Sequence, residues 1–208
     1  MTICYDLDID YARYGNDDED GQYRGKVRSI PSSVTELSRL HKLPHLTMPA
    51  SVDFDSRDIS RLQSTNIARV DAAISIFSNE LINAICSVGD PAWTLVPARF
   101  YDENNGKEVC SGRFSAVFFE YFEDYLDYDE SDYDLIDWSI YPQDKVTDRM
   151  RKKVGVIRKM VLREPDSGFP PCFRLLAGST RLYVSESAYN AIVNSAIEGL
   201  SLFSIGDF

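Results

Sequence analysis

The chain has no long apolar run. No stretch of about 18 or more apolar residues occurs among its 208 residues, so no membrane-spanning helix is expected. Histidine is scarce. The two present fall in His41-Lys42-Leu43-Pro44-His45. That spacing suits a metal only on a regular helix, which Pro44 breaks, and no companion ligand stands nearby. Ordinary loop histidines, no metal and no cofactor are the expectation. The four cysteines, Cys4, Cys86, Cys110 and Cys172, form no CxxC pair and read as reduced thiols. Cys86, in an apolar helical context, reads as core. No GxSxG elbow, GxGxxG turn or P-loop occurs, so the common nucleophile and phosphate-binding signatures are missing. Positive charge is also short. The 22 Lys and Arg face 33 Asp and Glu, a net charge of −11. That excludes a general nucleic-acid binder and disfavours an anionic membrane surface, both of which need a basic footprint. The start, Met1-Thr2-Ile3-Cys4-Tyr5-Asp6, lacks a basic segment followed by an apolar one, so no secretory leader is expected and a cytoplasmic location is.

What is present suffices for a core. Apolar residues make up 44% and charged residues 26%, normal for a globular domain. The expectation is one domain spanning 1–208, less regular over 1–66 and more regular over 67–208. Ile3, Tyr5, Leu7, Ile9 and Tyr11 alternate with polar residues, the period of a half-buried strand. A polar loop follows at Gly15–Gly21. From Ile30 to about Asp58, Pro31, Pro44 and Pro49 interrupt each candidate helix, and the stretch reads as an irregular connection. Ala72–Phe77 reads as a buried strand. Ser78 follows at an N-cap position, then Leu81, Ile82 and Ile85 at helical spacing, stopped by Gly89-Asp90-Pro91. Strands are expected at Trp93–Tyr101, Phe114–Tyr125, Val154–Arg163, Cys172–Leu176, Arg181–Val184 and Leu200–Ile205, with a helix over Ser187–Ala196.

A repeat runs through this pattern. Phe77-Ser78-Asn79-Glu80-Leu81-Ile82-Asn83-Ala84-Ile85 lines up without a gap with Val184-Ser185-Glu186-Ser187-Ala188-Tyr189-Asn190-Ala191-Ile192. The fold class expected is α+β: mixed sheets with two related strand–helix–strand units and an N-terminal strand. Convergence on the common strand–cap–helix pattern is the competing explanation of the match. Either way the two serines read as helix caps, not nucleophiles.

The richest feature is an acidic, tyrosine-laden run. Residues 120–137 hold nine acids and no base, whereas 149–163 hold seven bases and no acid. Three readings stand side by side: a solvated loop, internal pairing with the basic segment, and a surface for a basic partner. Tyr and Asp interleaved supply apolar contact area and electrostatic steering. On the third reading Tyr125, Asp127, Tyr128, Asp129, Glu130, Asp132 and Tyr133 are the candidate partner-binding residues. A carboxylate-dependent hydrolase is an alternative, although nothing singles out two acids. A general acidic interaction module is another.

Several segments carry a family resemblance. Cys172-Phe173-Arg174-Leu175-Leu176, then Leu182-Tyr183-Val184-Ser185-Glu186 with its helix, then Ile197-Glu198-Gly199-Leu200-Ser201-Leu202-Phe203, resemble the close of the DUF1629 group, the Imm11-type immunity proteins of bacterial polymorphic toxin systems. Phe77-Ser78 with its helix, the strand through Val96-Pro97, the aromatic strand after Gly112 and Asp129-Glu130-Ser131-Asp132-Tyr133 look like that family's middle. The resemblance covers about residues 70–208, with Ile3–Tyr11 a weaker match. It implies a cytoplasmic, non-enzymatic antidote that binds and occludes a cognate toxin domain, and it carries over no catalytic residue. Neither nucleic acid nor membrane is an expected partner.

Overall fold

A computed structural model of the chain describes residues 4–9, 26–29, 49–70, 74–119, 122–177 and 181–205. They form an α+β architecture with three sheets. The six-stranded sheet has the order β2-β3-β6-β7-β5-β4, from Lys26–Ser29 (β2), Val52–Ser56 (β3), Ile67–Val70 (β4), Ile74–Ser78 (β5), Trp93–Asp102 (β6) and Glu108–Phe119 (β7). The five-stranded sheet has the order β13-β1-β12-β11-β8, from Cys4–Ile9 (β1), Phe122–Glu123 (β8), Cys172–Leu175 (β11), Leu182–Ser185 (β12) and Leu200–Ser204 (β13). Asp132–Leu135 (β9) and Val154–Lys159 (β10) pair as a separate ribbon. Among the described residues four α-helices accompany them: Ile59–Ser64 (α1), Asn79–Cys86 (α2), Asp148–Arg151 (α3) and Glu186–Asn194 (α4). Among the described residues, only β3 with β6 and β11 with β8 pair in parallel.

Alternation along the strands divides the interior into three apolar clusters. Phe114, Ala116 and Phe118 of β7 join Phe54, Phe100 and Leu62 in one, on one face of the six-stranded sheet. Val117 and Phe119 point to the other face. There they meet Leu81 and Ile85 of α2, Leu7 of β1, Leu182 and Val184 of β12, and Ala188 and Ile192 of α4. This second cluster is the shared core that joins the two sheets. Arg174 bridges the same junction: it is buried, donates to Ser75 Oγ at 2.6 Å and lies 5.2 Å from the Phe119 ring centroid. The third cluster covers the opposite face of the five-stranded sheet, where Cys4, Phe173, Leu175 and Tyr183 meet residues from 125–169.

Ser78 and Ser185 both cap their helices, accepting from Leu81 N–H at 3.2 Å and Ala188 N–H at 3.4 Å. β5 and β6 run parallel with antiparallel β7 between them. β12 and β13 likewise flank antiparallel β1. β4 and β11 each lie on the far side of the strand that enters the helix. The cap, the first helical residue, a positive-φ residue and the start of the next strand all recur at one spacing. They are Ser78 and Ser185, Asn79 and Glu186, Ala92 and Gly199, and Trp93 and Leu200.

Three readings are corrected. The stretch from Ile30 to Asp58 is not irregular throughout: Val52–Ser56 is an inner strand, with Val52, Phe54 and Ser56 buried and Asp53 and Asp55 facing out. Asp53 takes a two-pronged bond from Arg99 (2.8 and 2.9 Å), and Arg28 stands 3.7 Å from Asp55. The aromatic strand expected at Phe114–Tyr125 is β7, which starts at Glu108 and whose described part ends at Phe119. Cys86 is exposed at the end of α2. Its thiol is pushed up by partial burial and by Asp90, which keeps it protonated at neutral pH. His41 and His45 lie outside the described residues. No helix among the described residues is long and apolar enough to cross a membrane.

Candidate partner-binding surface

The acidic run and the basic segment after it fold together as a lid over the five-stranded sheet. Main-chain bonds stitch the two halves: Arg163 N–H donates to the Tyr125 carbonyl at 2.7 Å, and Asp127 N–H to that of Val161 at 2.9 Å. Between them, Leu126 and Leu162 form an isolated bridge. Ser131 Oγ lies 3.0 Å from the Val161 N–H that it accepts and 3.2 Å from the Val161 carbonyl.

Tyr125, Tyr128 and Tyr133 turn inward. Tyr125 meets Phe169 and Phe173 edge-on, with ring centroids 5.4 Å apart in both cases. Tyr128 stands edge-on to Tyr133 at 5.7 Å. All three pack against the third cluster. Tyr128 also donates to the Asp124 carboxylate (2.9 and 3.1 Å) and reaches the Lys152 carbonyl at 3.0 Å. Burial and then Asp124 push its phenol up.

Four of the run's carboxylates, those of Asp124, Asp127, Asp132 and Asp134, are engaged by the basic segment. Arg158 donates Nε and Nη2 to Asp132 at 3.0 and 2.8 Å, and Nη1 to Asp134 at 2.7 Å. Its guanidinium thereby holds the Asp132 carboxyl below the usual 3.8. Asp127 accepts from Arg163 at 3.1 Å and from the N–H groups of Asp129 and Glu130 at 3.2 and 3.3 Å. The Arg163 bond is the main cause of its lowered pKa. Lys152 stands 4.0 Å from Asp124. Asp129 and Glu130, at the turn, are exposed. Of the seven candidate residues, the three tyrosines thus pack inward, Asp127 and Asp132 have internal cationic partners, and Asp129 and Glu130 present their carboxylates to solvent.

Apolar groups occupy the lid's outside. Among the described residues, eight large hydrophobic side chains are exposed, and four belong to this segment: Leu135 (82%), Ile140 (74%), Val156 (64%) and Tyr141. Leu135 ends β9 opposite Val154, and Val156 stands in β10 where the register shifts. Gly155 leaves room beside it, since a Cβ there would stand 3.3 Å from the Asp134 carbonyl oxygen, a tight contact. Trp138 and Tyr141 hold their rings 5.5 Å apart on a short 3₁₀ turn capped by Asp137. These four residues carry no signal of exposure in the sequence reading. In Leu135-Ile136-Asp137-Trp138-Ser139-Ile140-Tyr141 the alternation of Ile136, Trp138 and Ile140 with polar residues suggests a strand, whereas Trp138–Ile140 forms a 3₁₀ turn, and Val156 reads as one position of an alternating strand.

Among the described residues, no group of three or more His, Cys, Asp and Glu is placed to hold a metal ion. A segment that exposes several large apolar side chains together with the carboxylates of Asp129 and Glu130 suits protein recognition. No family model matches the chain, and no curated protein matches it.

Proposed function

We propose that this protein is a cytoplasmic immunity protein that binds a cognate toxin domain one-to-one and occludes it, without catalysis. The observation that carries the reading is the exposure of Leu135, Ile140, Tyr141 and Val156 on a lid whose Tyr125, Tyr128 and Tyr133 are already spent on the core. Large apolar side chains left in water on a cross-braced surface are characteristic of a docking site. Asp129 and Glu130, exposed in the same segment, steer a basic partner. The segment resemblance to the Imm11-type immunity proteins supports the same conclusion. Co-expression with the toxin domain encoded beside it tests the proposal. Survival and a one-to-one complex on purification are expected; continued killing, or no complex, refutes it.

We also infer that β4–β6 and β11–β13 are two copies of one unit, each a hairpin, a serine-capped helix and a strand, completed by an antiparallel strand from outside the unit. The common spacing of cap, helix start, positive-φ residue and next strand supports this. An excised β4–β7 segment that folds cooperatively is the expected result; a segment that stays unfolded at every temperature counts against the inference.

A further inference from the structure

Strand edges are templates for further strands, and folded proteins protect them with charges, prolines or bulges. The other edge strands described here carry such charges: Lys26 and Arg28 in β2, Arg69 in β4, Glu123 in β8, Asp132 and Asp134 in β9, Arg158 and Lys159 in β10. β13 is different. Leu200-Ser201-Leu202-Phe203-Ser204 has no charge and no proline, and it pairs with β1 in unbroken register. It ends the five-stranded sheet, and Phe203 is 57% exposed. In a chain with 26% charged residues, this is the edge left unguarded among the described residues.

We propose that the outer edge of β13 pairs antiparallel with β13 of a second copy of this chain, continuing the five-stranded sheet across a two-fold axis at Leu202. The inference stands apart from toxin binding.

Charge selects the occupant. A charged strand laid here would lose solvent with no counter-charge in β13 to meet it, whereas β13 of a second copy is itself uncharged. Size agrees with the two-fold placement. Leu200 then opposes Ser204 of the other copy, Ser201 opposes Phe203, and Leu202 opposes its own equivalent. Every pair off the axis sets a large side chain against a small one. The faces agree as well. Leu200 and Leu202 pack toward the shared core, and Ile205 toward the lid side, so by alternation Phe203 lies on the lid side. A two-fold axis normal to the sheet keeps each face on its own side.

The dimer is weak. Five residues of strand pairing bury less than the about 1,200 Å² typical of a stable complex, and −11 on each chain opposes association. Added salt screens that repulsion and tightens the dimer.

Sedimentation equilibrium of the full chain over a concentration series tests this. A monomer–dimer equilibrium that strengthens with salt is expected. Phe203→Lys, at an exposed position, weakens it about tenfold or more with the melting temperature unchanged. Ser201→Cys with Phe203→Cys, in a chain carrying Cys86→Ser and Cys110→Ser, forms a covalent dimer under mild oxidation. A chain that is monomeric at every concentration and salt overturns the proposal. So does a dimer that Phe203→Lys leaves intact, or one that salt dissociates.

Discussion

Replacing Ser78 by Ala removes two hydrogen bonds at a site closed to water. The hydroxyl accepts from Leu81 N–H at 3.2 Å and donates to Asn66 Oδ1 at 2.7 Å. Loss of an N-cap costs about 1 kcal/mol. Loss of the second bond leaves the buried Asn66 oxygen without that donor, for about 1–2 kcal/mol more. The total is about 2–3 kcal/mol, and a chain of this size loses about 2–4 °C in Tm per kcal/mol, so a fall of about 4–12 °C is expected. Ser185→Ala has a milder outcome. Its cap is longer, at 3.4 Å, and its other contact, Ser187 Oγ at 2.9 Å, belongs to an exposed residue. About 1 kcal/mol and about 2–4 °C are expected there. Urea titration of both variants, with unchanged m, supplies the comparison. Equal losses, or a larger loss at Ser185, would refute the derivation from Asn66. A loss of toxin neutralisation with unchanged melting would mark either serine as functional.

Tyr128→Phe removes the bonds to Asp124 and Lys152 and lowers stability by about 1 kcal/mol, while Tyr128→Ala also opens space beside Tyr133 and lowers it by about 2–4 kcal/mol. Neither alters dissociation of a toxin complex at a temperature where both fold; faster dissociation at unchanged stability would put that ring in the interface. Asp127 and Asp132 titrate below 3.8 in the folded chain, held down by Arg163 and Arg158. Their contribution is therefore complete above the unfolded value and lost as pH falls through the lower folded values. Urea midpoints measured downward from about pH 5 should show this acid loss, and Arg158→Gln should flatten it; an unchanged acid limb contradicts the Asp132 pairing. Asp129→Asn with Glu130→Gln slows toxin association at low salt by a margin that shrinks as salt rises; a salt-independent effect removes steering from the account.

The regular half of the chain was legible because single local rules decide it. Ser78 and Ser185 stand at caps, Gly89-Asp90-Pro91 ends a helix, and Val96, Ala98 and Phe100 alternate with exposed residues, as a strand packed on one face must. β3 was hidden by composition. Val52-Asp53-Phe54-Asp55-Ser56 has the strand period, but two acids on an inner strand make sense only once Arg99 and Arg28 stand beside them, and Arg99 is distant in sequence. β9 was hidden for the same reason, since Arg158 is what makes Asp132 and Asp134 tolerable on one face. The acidic run is distinctive in the sequence itself, and internal pairing is one of the readings it allows. Which residues face out was not legible, because the inward turn of Tyr125, Tyr128 and Tyr133 is set by Phe169, Phe173 and the ribbon partner β10.

The account stands or falls on the lid's outer surface. The most direct measurement titrates the purified cognate toxin domain with wild-type protein and with the double variant Leu135→Glu, Ile140→Glu, following toxin activity and melting together. Wild-type protein should abolish activity at one equivalent, and the double variant should melt normally yet protect at least about tenfold less well. Full protection by the double variant, or protection by wild-type protein at well below one equivalent, contradicts stoichiometric occlusion through this surface.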